Sequence, residues 1–137
     1  MERTYIIIFC ICILCSGLIS AAEIEDLDYI FICDLRKVFG TCKQYDARLL
    51  DSEAEEFYRE SCVRNKLDEN TGKYYDKRRC PMDKRVGGCV NGNNYPGTPD
   101  SWKYDKYYYA GTSKNYSWKV EGFEWACGET GGELRVE

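Results

Sequence analysis

The chain has 137 residues, of which 44% are hydrophobic and 31% are charged, and its net charge is −4. This composition is typical of a one-domain globular protein, and the acidic balance argues against nucleic acid as the main partner because phosphates would be repelled. Histidine is absent, which excludes a Ser-His-Asp triad, a Cys-His pair and histidine-ligated zinc.

The first 22 residues are typical of a secretory signal peptide. Arg3 precedes an unbroken apolar run over residues 6–14, and small residues at 20–22 offer a cleavage site before Glu23. A retained membrane anchor is the alternative, but Ser16 and Gly17 interrupt an apolar stretch that falls short of the roughly 20 residues that span a bilayer. We therefore expect residues 23–137 to form a single secreted domain that is free of the membrane.

Cysteine usage points to the same compartment. Three of the nine cysteines lie in the leader and leave with it, so six remain. An even number of cysteines in an oxidising compartment favours three disulfide bonds over thiolate catalysis. A zinc site is not indicated, because no two of the six cysteines form a Cys-x-x-Cys pair. We expect a domain without metal or cofactor. Its disulfide bonds can be arranged in 15 ways, and the six cysteines that form them are Cys33, Cys42, Cys62, Cys80, Cys89 and Cys127.

The hydrophobic pattern predicts a small α+β fold. An apolar run at residues 29–32 predicts a buried strand that leads into Cys33. Residues 51–64 predict an amphipathic helix, because Ser52 and Glu55 form a capping box at its start. The residues of its predicted buried face are Ala54, Phe57, Tyr58, Ser61 and Cys62.

The C-terminal third is rich in aromatic residues, with ten between residues 95 and 127. Two alternating groups predict the two strands of a twisted antiparallel β-hairpin, joined by a turn at residues 111–115 and continued past a bulge at Gly122. These groups are Trp102, Tyr104 and Tyr108, then Tyr116, Trp118 and Val120, with Phe123, Trp125 and Cys127 beyond.

Large aromatic side chains offer broad contact area at low entropic cost, so the hairpin is a candidate binding surface. Its proposed members are Trp102, Tyr104, Tyr108 and Trp118. The alternative is that these rings only cover a small sheet.

Asn115 begins an Asn-Tyr-Ser sequon at the predicted turn, which makes it a candidate glycosylation site.

Several motifs resemble the Kunitz-type family of protease inhibitors. They are the tyrosine pair at 74–75, Cys80, the Gly-Gly-Cys at 87–89 and the Asn-Asn-Tyr at 93–95. Upstream, the segment Gly40, Thr41, Cys42, Lys43 and Gln44 is similar to the reactive loop of that family.

This resemblance implies inhibition of a trypsin-like serine protease, with Lys43 entering the acidic specificity pocket of the enzyme. A bridge from Cys42 to Cys89 would clamp the reactive loop, and Gly87 and Gly88 would allow the neighbouring backbone to approach it. By extension, Cys33 would pair with Cys127 and Cys62 with Cys80.

The chain departs from the family in three places, of which the first is that Gln44 is bulkier than the small residue expected after the reactive position. Between Cys42 and Cys80 lie 37 residues and the additional Cys62, and a rival alignment through Cys62 moves the reactive position to Val63. The closing helix of the family, with its two cysteines, is replaced by the predicted hairpin and the single Cys127.

Two function classes follow from the sequence. The first is a secreted, monomeric binding protein, most specifically a Kunitz-like serine protease inhibitor that acts on an extracellular protein. The second is a non-inhibitory interaction protein of salivary, venom or effector type, which binds a host protein or small ligand through the aromatic hairpin. We expect no enzyme, because carboxylate pairs are the remaining acid–base groups and no pair is singled out.

Overall fold

The computed structural model describes residues 27–63, 72–92 and 99–137. The predicted leader and the Asn-Asn-Tyr motif at 93–95 lie outside these ranges. Within them, no helix is long and apolar enough to cross a membrane.

The described residues form an α+β domain, which confirms the predicted fold class. Six strands make one antiparallel sheet in the order β3-β1-β2-β5-β4-β6. In chain order the elements are β1 (Ile30–Leu35), α1 (Arg36–Phe39), β2 (Thr41–Asp46), α2 (Ser52–Val63), β3 (Lys73–Asp76), β4 (Arg85–Gly92), a 3-10 helix (Asp100–Trp102), β5 (Tyr104–Tyr109), α3 (Val120–Thr130) and β6 (Glu133–Val136).

Strand β1 forms where the apolar run predicts it. Ile30, Phe31 and Ile32 are all buried because β1 is an interior strand with packing on both faces. On one face Phe31 stacks on Tyr45 of β2, with ring centroids 4.7 Å apart. The short helix α1 then ends at Gly40, whose left-handed backbone (φ 65°) turns the chain into β2.

Helix α2 also matches its prediction, except for its cap and part of its face. The carboxylate of Asp51 accepts the backbone N–H of Ala54 at 2.7 Å, so Asp51 caps the helix instead of Ser52. Ala54, Tyr58 and Cys62 are buried as predicted, whereas Phe57 and Ser61 are exposed.

The predicted C-terminal hairpin is wrong. Strand β5 matches its first strand, but β5 pairs with β2 and β4, and its predicted partner segment forms an irregular connection followed by helix α3. The helix buries Phe123 and Cys127, which are four residues apart, and leaves Trp125 72% exposed. This pattern is helical, and the two-residue alternation of Phe123, Trp125 and Cys127 is coincidental.

Three disulfide bonds join Cys33 to Cys62, Cys42 to Cys80 and Cys89 to Cys127. None of them is a pairing that the Kunitz resemblance implies. The sheet register explains the difference. Cys33 lies opposite Lys43, and consecutive residues of a strand point to opposite faces, so Cys42 faces away from Cys33 and Cys89. Helices α2 and α3 are therefore tethered to one face, and the segment around Cys80 to the other.

Candidate functional site

A continuous row of paired residues crosses the whole sheet. Residues directly opposite each other in antiparallel strands share a face and lie within contact distance. From one edge to the other, the row consists of Tyr74, Cys33, Lys43, Lys106, Cys89 and Leu134. Its two central members are lysines on the interior strands β2 and β5.

The cysteines on either side of the lysines anchor the two longer helices. Cys33 holds α2 through Cys62, and Cys89 holds α3 through Cys127. The anchors are three strand spacings apart, or about 14 Å, whereas axes of helices in direct contact are about 8–10 Å apart. The lysines lie on the sheet between these two anchors, and we call Lys43 and Lys106, with the cavities beside them, the lysine cleft.

Both lysines are partly buried and lie over aromatic rings. The Nζ atom of Lys43 is 5.3 Å from the ring centroid of Tyr104, and that of Lys106 is 5.2 Å from the ring centroid of Tyr108. In the described part of the chain, neither ammonium group has a carboxylate partner. The cation–π contacts therefore stabilise the two ammonium groups.

The surroundings of the lysines disfavour their charge. Burial, together with the nearby charge of Lys106, lowers the pKa of Lys43 to about 8. Burial also lowers the pKa of Lys106. Two like charges directly opposite each other in a sheet are destabilising, and burial without a counter-ion adds to that cost.

Each lysine borders a cavity in which it is the only charged residue among the lining residues. The cavity beside α2 has a volume of about 220 Å³ and is lined by Cys33, Leu35, Phe39, Lys43, Tyr45, Phe57, Ser61 and Cys62. The cavity beside α3 has a volume of about 180 Å³ and is lined by Cys89, Gly92, Tyr104, Lys106, Tyr108, Ala126 and Thr130. A ligand in either cavity meets one ammonium group and a wall of aromatic and other uncharged side chains that exposes both polar and apolar atoms.

A cavity of about 390 Å³, larger than the two beside the lysines, lies on the opposite side of the sheet and is less selective. Its lining includes both Asp34 and Asp83 among several basic residues, and Arg36 is already paired with Asp34 at 2.8 Å. A site of mixed and internally paired charge gives no clear preference for an anion or a cation.

The segment that resembles a reactive loop is an interior strand. Gly40 ends α1, and Thr41 to Gln44 belong to β2, which pairs with β1 on one side and with β5 on the other. Thr41, Cys42 and Gln44 are buried. The side-chain oxygen of Gln44 accepts the backbone N–H of Cys80 at 3.0 Å, so this residue has a structural contact.

Gly87 and Gly88 do allow close approach, but not to that segment. A Cβ on Gly87 would lie 2.4 Å from the carbonyl oxygen of Arg135 and 2.6 Å from the ring of Phe123. A Cβ on Gly88 would lie 2.7 Å from the ring of Tyr107. The two glycines therefore allow β6, α3 and β5 to pack closely against β4. The neighbouring Cys89 forms its disulfide with Cys127 of α3.

The four candidate aromatic residues do not form one exposed surface. Tyr104 and Tyr108 are buried in the floor of the lysine cleft. The indole N–H of Trp118 donates to the carbonyl of Phe39 at 2.7 Å, and its ring packs edge-on against Tyr108. Trp102 packs against α2 instead, through Tyr58 and Phe57. The rings thus cover the sheet, which is the alternative that the sequence left open.

Asn115 is exposed in the connection between β5 and α3, where its backbone N–H donates to the hydroxyl of Ser113 at 3.2 Å. Its glycosylation stays a prediction.

Lys106 is the functional residue that sequence reasoning missed. A signal was present, because a lysine between Tyr104 and Tyr108 occupies the inward phase of an alternating strand.

Comparison of the chain with protein-family models, with curated proteins and with solved structures gives no match. Its function therefore has to be argued from the lysine cleft itself.

Proposed function

We propose that this protein is a disulfide-stabilised binding protein that holds an anionic group of its ligand between Lys43 and Lys106. The observation that carries the proposal is the pairing of these two lysines at the centre of the sheet, beside two cavities and without a carboxylate partner in the described residues.

An anion would relieve both unfavourable features of the site. It would offset the repulsion between the two ammonium groups, and it would supply acceptors for their N–H donors, of which each lysine has three. Hydrogen bonds between charged groups are stronger than neutral ones, and partial burial strengthens the attraction further. Carboxylates, sulfates and phosphates all have suitable oxygen atoms.

The frame of the cleft suits binding. Each helix beside the lysines is fixed to the sheet by a disulfide, at Cys33–Cys62 and at Cys89–Cys127. A preformed site loses little conformational freedom when the ligand enters, which favours affinity. Three disulfides also fit an extracellular location, and we propose that the protein acts there as a monomer and without catalysis.

Inhibition of a trypsin-like protease stays a prediction from the resemblance. The position of Lys43 in a strand paired on both sides, and the bonding of Cys42 to Cys80 instead of Cys89, favour the lysine cleft over a protruding inhibitory loop. A panel of trypsin-like proteases separates the two functions. Inhibition that Lys43→Ala abolishes would favour the loop, whereas no inhibition together with anion binding would favour the cleft.

Isothermal titration calorimetry tests the proposed function. The titrants are pyrophosphate, sulfate, octanoate and indole-3-acetate at constant ionic strength, near pH 7. At least one anion should bind the wild-type protein, and a double variant with Lys43→Met and Lys106→Met should lose the heat of binding.

Lys114→Met is the matched control, because Lys114 is exposed and lines neither cavity of the cleft. The control should bind like the wild type. Equal binding by the double variant and the wild type, or no binding of any of the four anions, would overturn the proposed function.

A further inference from the structure

We infer that the ligand of the lysine cleft is amphipathic: its acidic head lies between Lys43 and Lys106, and its apolar body occupies the cavity beside α2. This inference rests on the proposed function and adds the chemical class of the ligand. A small inorganic anion would satisfy the lysines but would leave the apolar walls of the cleft in contact with water.

The lining of the α2-side cavity favours an apolar body. The cavity is lined by four large side chains and the Cys33–Cys62 bridge; the side chains are those of Leu35, Phe39, Tyr45 and Phe57. Its two hydroxyl groups belong to Ser61 and Tyr45. Ligand sites are commonly apolar cavities with a few polar groups that fix orientation. Here the lysine is the group that fixes the orientation of the head.

The rim of the cavity carries exposed aromatic surface. Phe39 is 37% exposed and Phe57 is 48% exposed, although both border the cavity. Tyr116 continues this surface from Phe39, with ring centroids 5.9 Å apart, and is 43% exposed. Apolar surface grouped around a cavity marks a binding site more strongly than single exposed residues do.

The size of the cavity limits the body of the ligand. A volume of about 220 Å³ corresponds to about seven groups of water or methylene size, at roughly 30 Å³ each. A chain of seven or eight carbons or one aromatic ring therefore fits, with any longer portion lying at the open rim beside Phe57. The α3-side cavity is smaller, at about 180 Å³, and its wall includes Thr130.

Three probes separate the head from the body: octanoate has both, acetate has the acidic head alone, and 1-octanol has the chain without the charge. Each buried methylene strengthens binding roughly fourfold, so octanoate should bind about two-hundredfold more tightly than acetate when four methylenes are buried. Octanoate should also bind at least tenfold more tightly than 1-octanol. Calorimetry near pH 7 measures all three affinities.

Phe57→Ser tests the position of the body. Phe57 is about half exposed on α2, so its replacement preserves the fold, which circular dichroism checks. We expect octanoate to bind the variant at least fivefold more weakly than it binds the wild type. Trp125→Ser is the control, because it removes an exposed aromatic residue that lines neither cavity, and it should bind octanoate like the wild type.

The outcomes separate the two proposals. If acetate or pyrophosphate binds as tightly as octanoate, the amphipathic class is overturned while the anion site stands. If 1-octanol binds as tightly as octanoate, the acidic head contributes nothing and the amphipathic class is overturned, while pyrophosphate binding by the wild type and by the double lysine variant decides the anion site separately. If Phe57→Ser and Trp125→Ser bind octanoate equally well, the body does not occupy the α2-side cavity. If none of the probes binds, the amphipathic ligand is overturned.

Discussion

Replacing Lys43 with methionine should make the free protein more stable, although it removes a residue at the centre of the sheet. Methionine retains most of the length of the side chain and adapts well to irregular packing. The change removes a positive charge that is buried opposite Lys106 and that has no carboxylate partner in the described residues. Lys43→Met therefore isolates the cost of that charge.

The magnitude follows from the pKa of Lys43. Burial and the charge of Lys106 lower this pKa from 10.5 to about 8, and each pH unit of difference corresponds to about 1.4 kcal/mol. Holding the charge in the folded protein thus costs about 3 kcal/mol at pH values below 8. Between pH 8 and 10.5 the unfolded chain binds more protons than the folded one, so the wild type gains stability as the pH rises.

The difference in unfolding free energy between Lys43→Met and the wild type should therefore be about 3 kcal/mol below pH 8 and should shrink towards pH 10.5. Urea unfolding followed by tryptophan fluorescence, with the disulfides intact, measures it from pH 6.5 to 10. Lys114→Met serves as control and should show no such trend. A pH-independent difference, or a variant that is less stable than the wild type near neutral pH, would refute the idea that Lys43 is an unpaired buried cation.

Four further predictions concern the frame of the site. Peptide mapping by mass spectrometry should recover the three bridges of the structure and no other pairing. Replacing Cys33 and Cys62 together with alanine should lower the unfolding free energy by about 3 to 4 kcal/mol, because the bridge closes a 29-residue separation; an unchanged denaturation midpoint would contradict this. Gly87→Ala should lower it by about 2 to 4 kcal/mol, because the backbone has φ 154° and a Cβ would collide with β6. Gly128→Ala, which places its Cβ in open space on α3, should instead stabilise by about 0.5 to 1 kcal/mol in the same denaturation experiment.

The elements that sequence analysis predicts well are those set by neighbouring residues. The apolar run of β1 and the helical spacing of Ala54, Tyr58 and Cys62 are local signals, and both elements form as expected. For helix α3 the sequence predicts a strand, because Phe123, Trp125 and Cys127 also fit a two-residue period. Hydrophobic positions alone cannot separate the two periods over so few residues.

The candidate site depends on information that is not local. Lys43 stood out in the sequence only because the residues around it resemble a reactive loop, and Lys106 was not selected. They come together because β2 pairs with β5, which follows it by about 60 residues in the chain. Register between distant strands is set by which faces become buried, and that is decided by the whole domain. The same register puts Cys42 on the opposite face, which no spacing between cysteines reveals.

The two bridges on the face of the lysines also bear on the state of the cleft without a ligand. Helices with apolar faces normally pack together, and Phe39 and Phe57 border the cleft with part of their surface exposed. The anchors of the two helices, Cys33 and Cys89, lie three strands apart in the register, which favours separated helices. The repulsion between the lysines and the hydration of the aromatic rim are thus built into the free protein. A molecule with an acidic head and an apolar body, as proposed above, would relieve both, and a frame that is already formed would lose little conformational freedom on binding it.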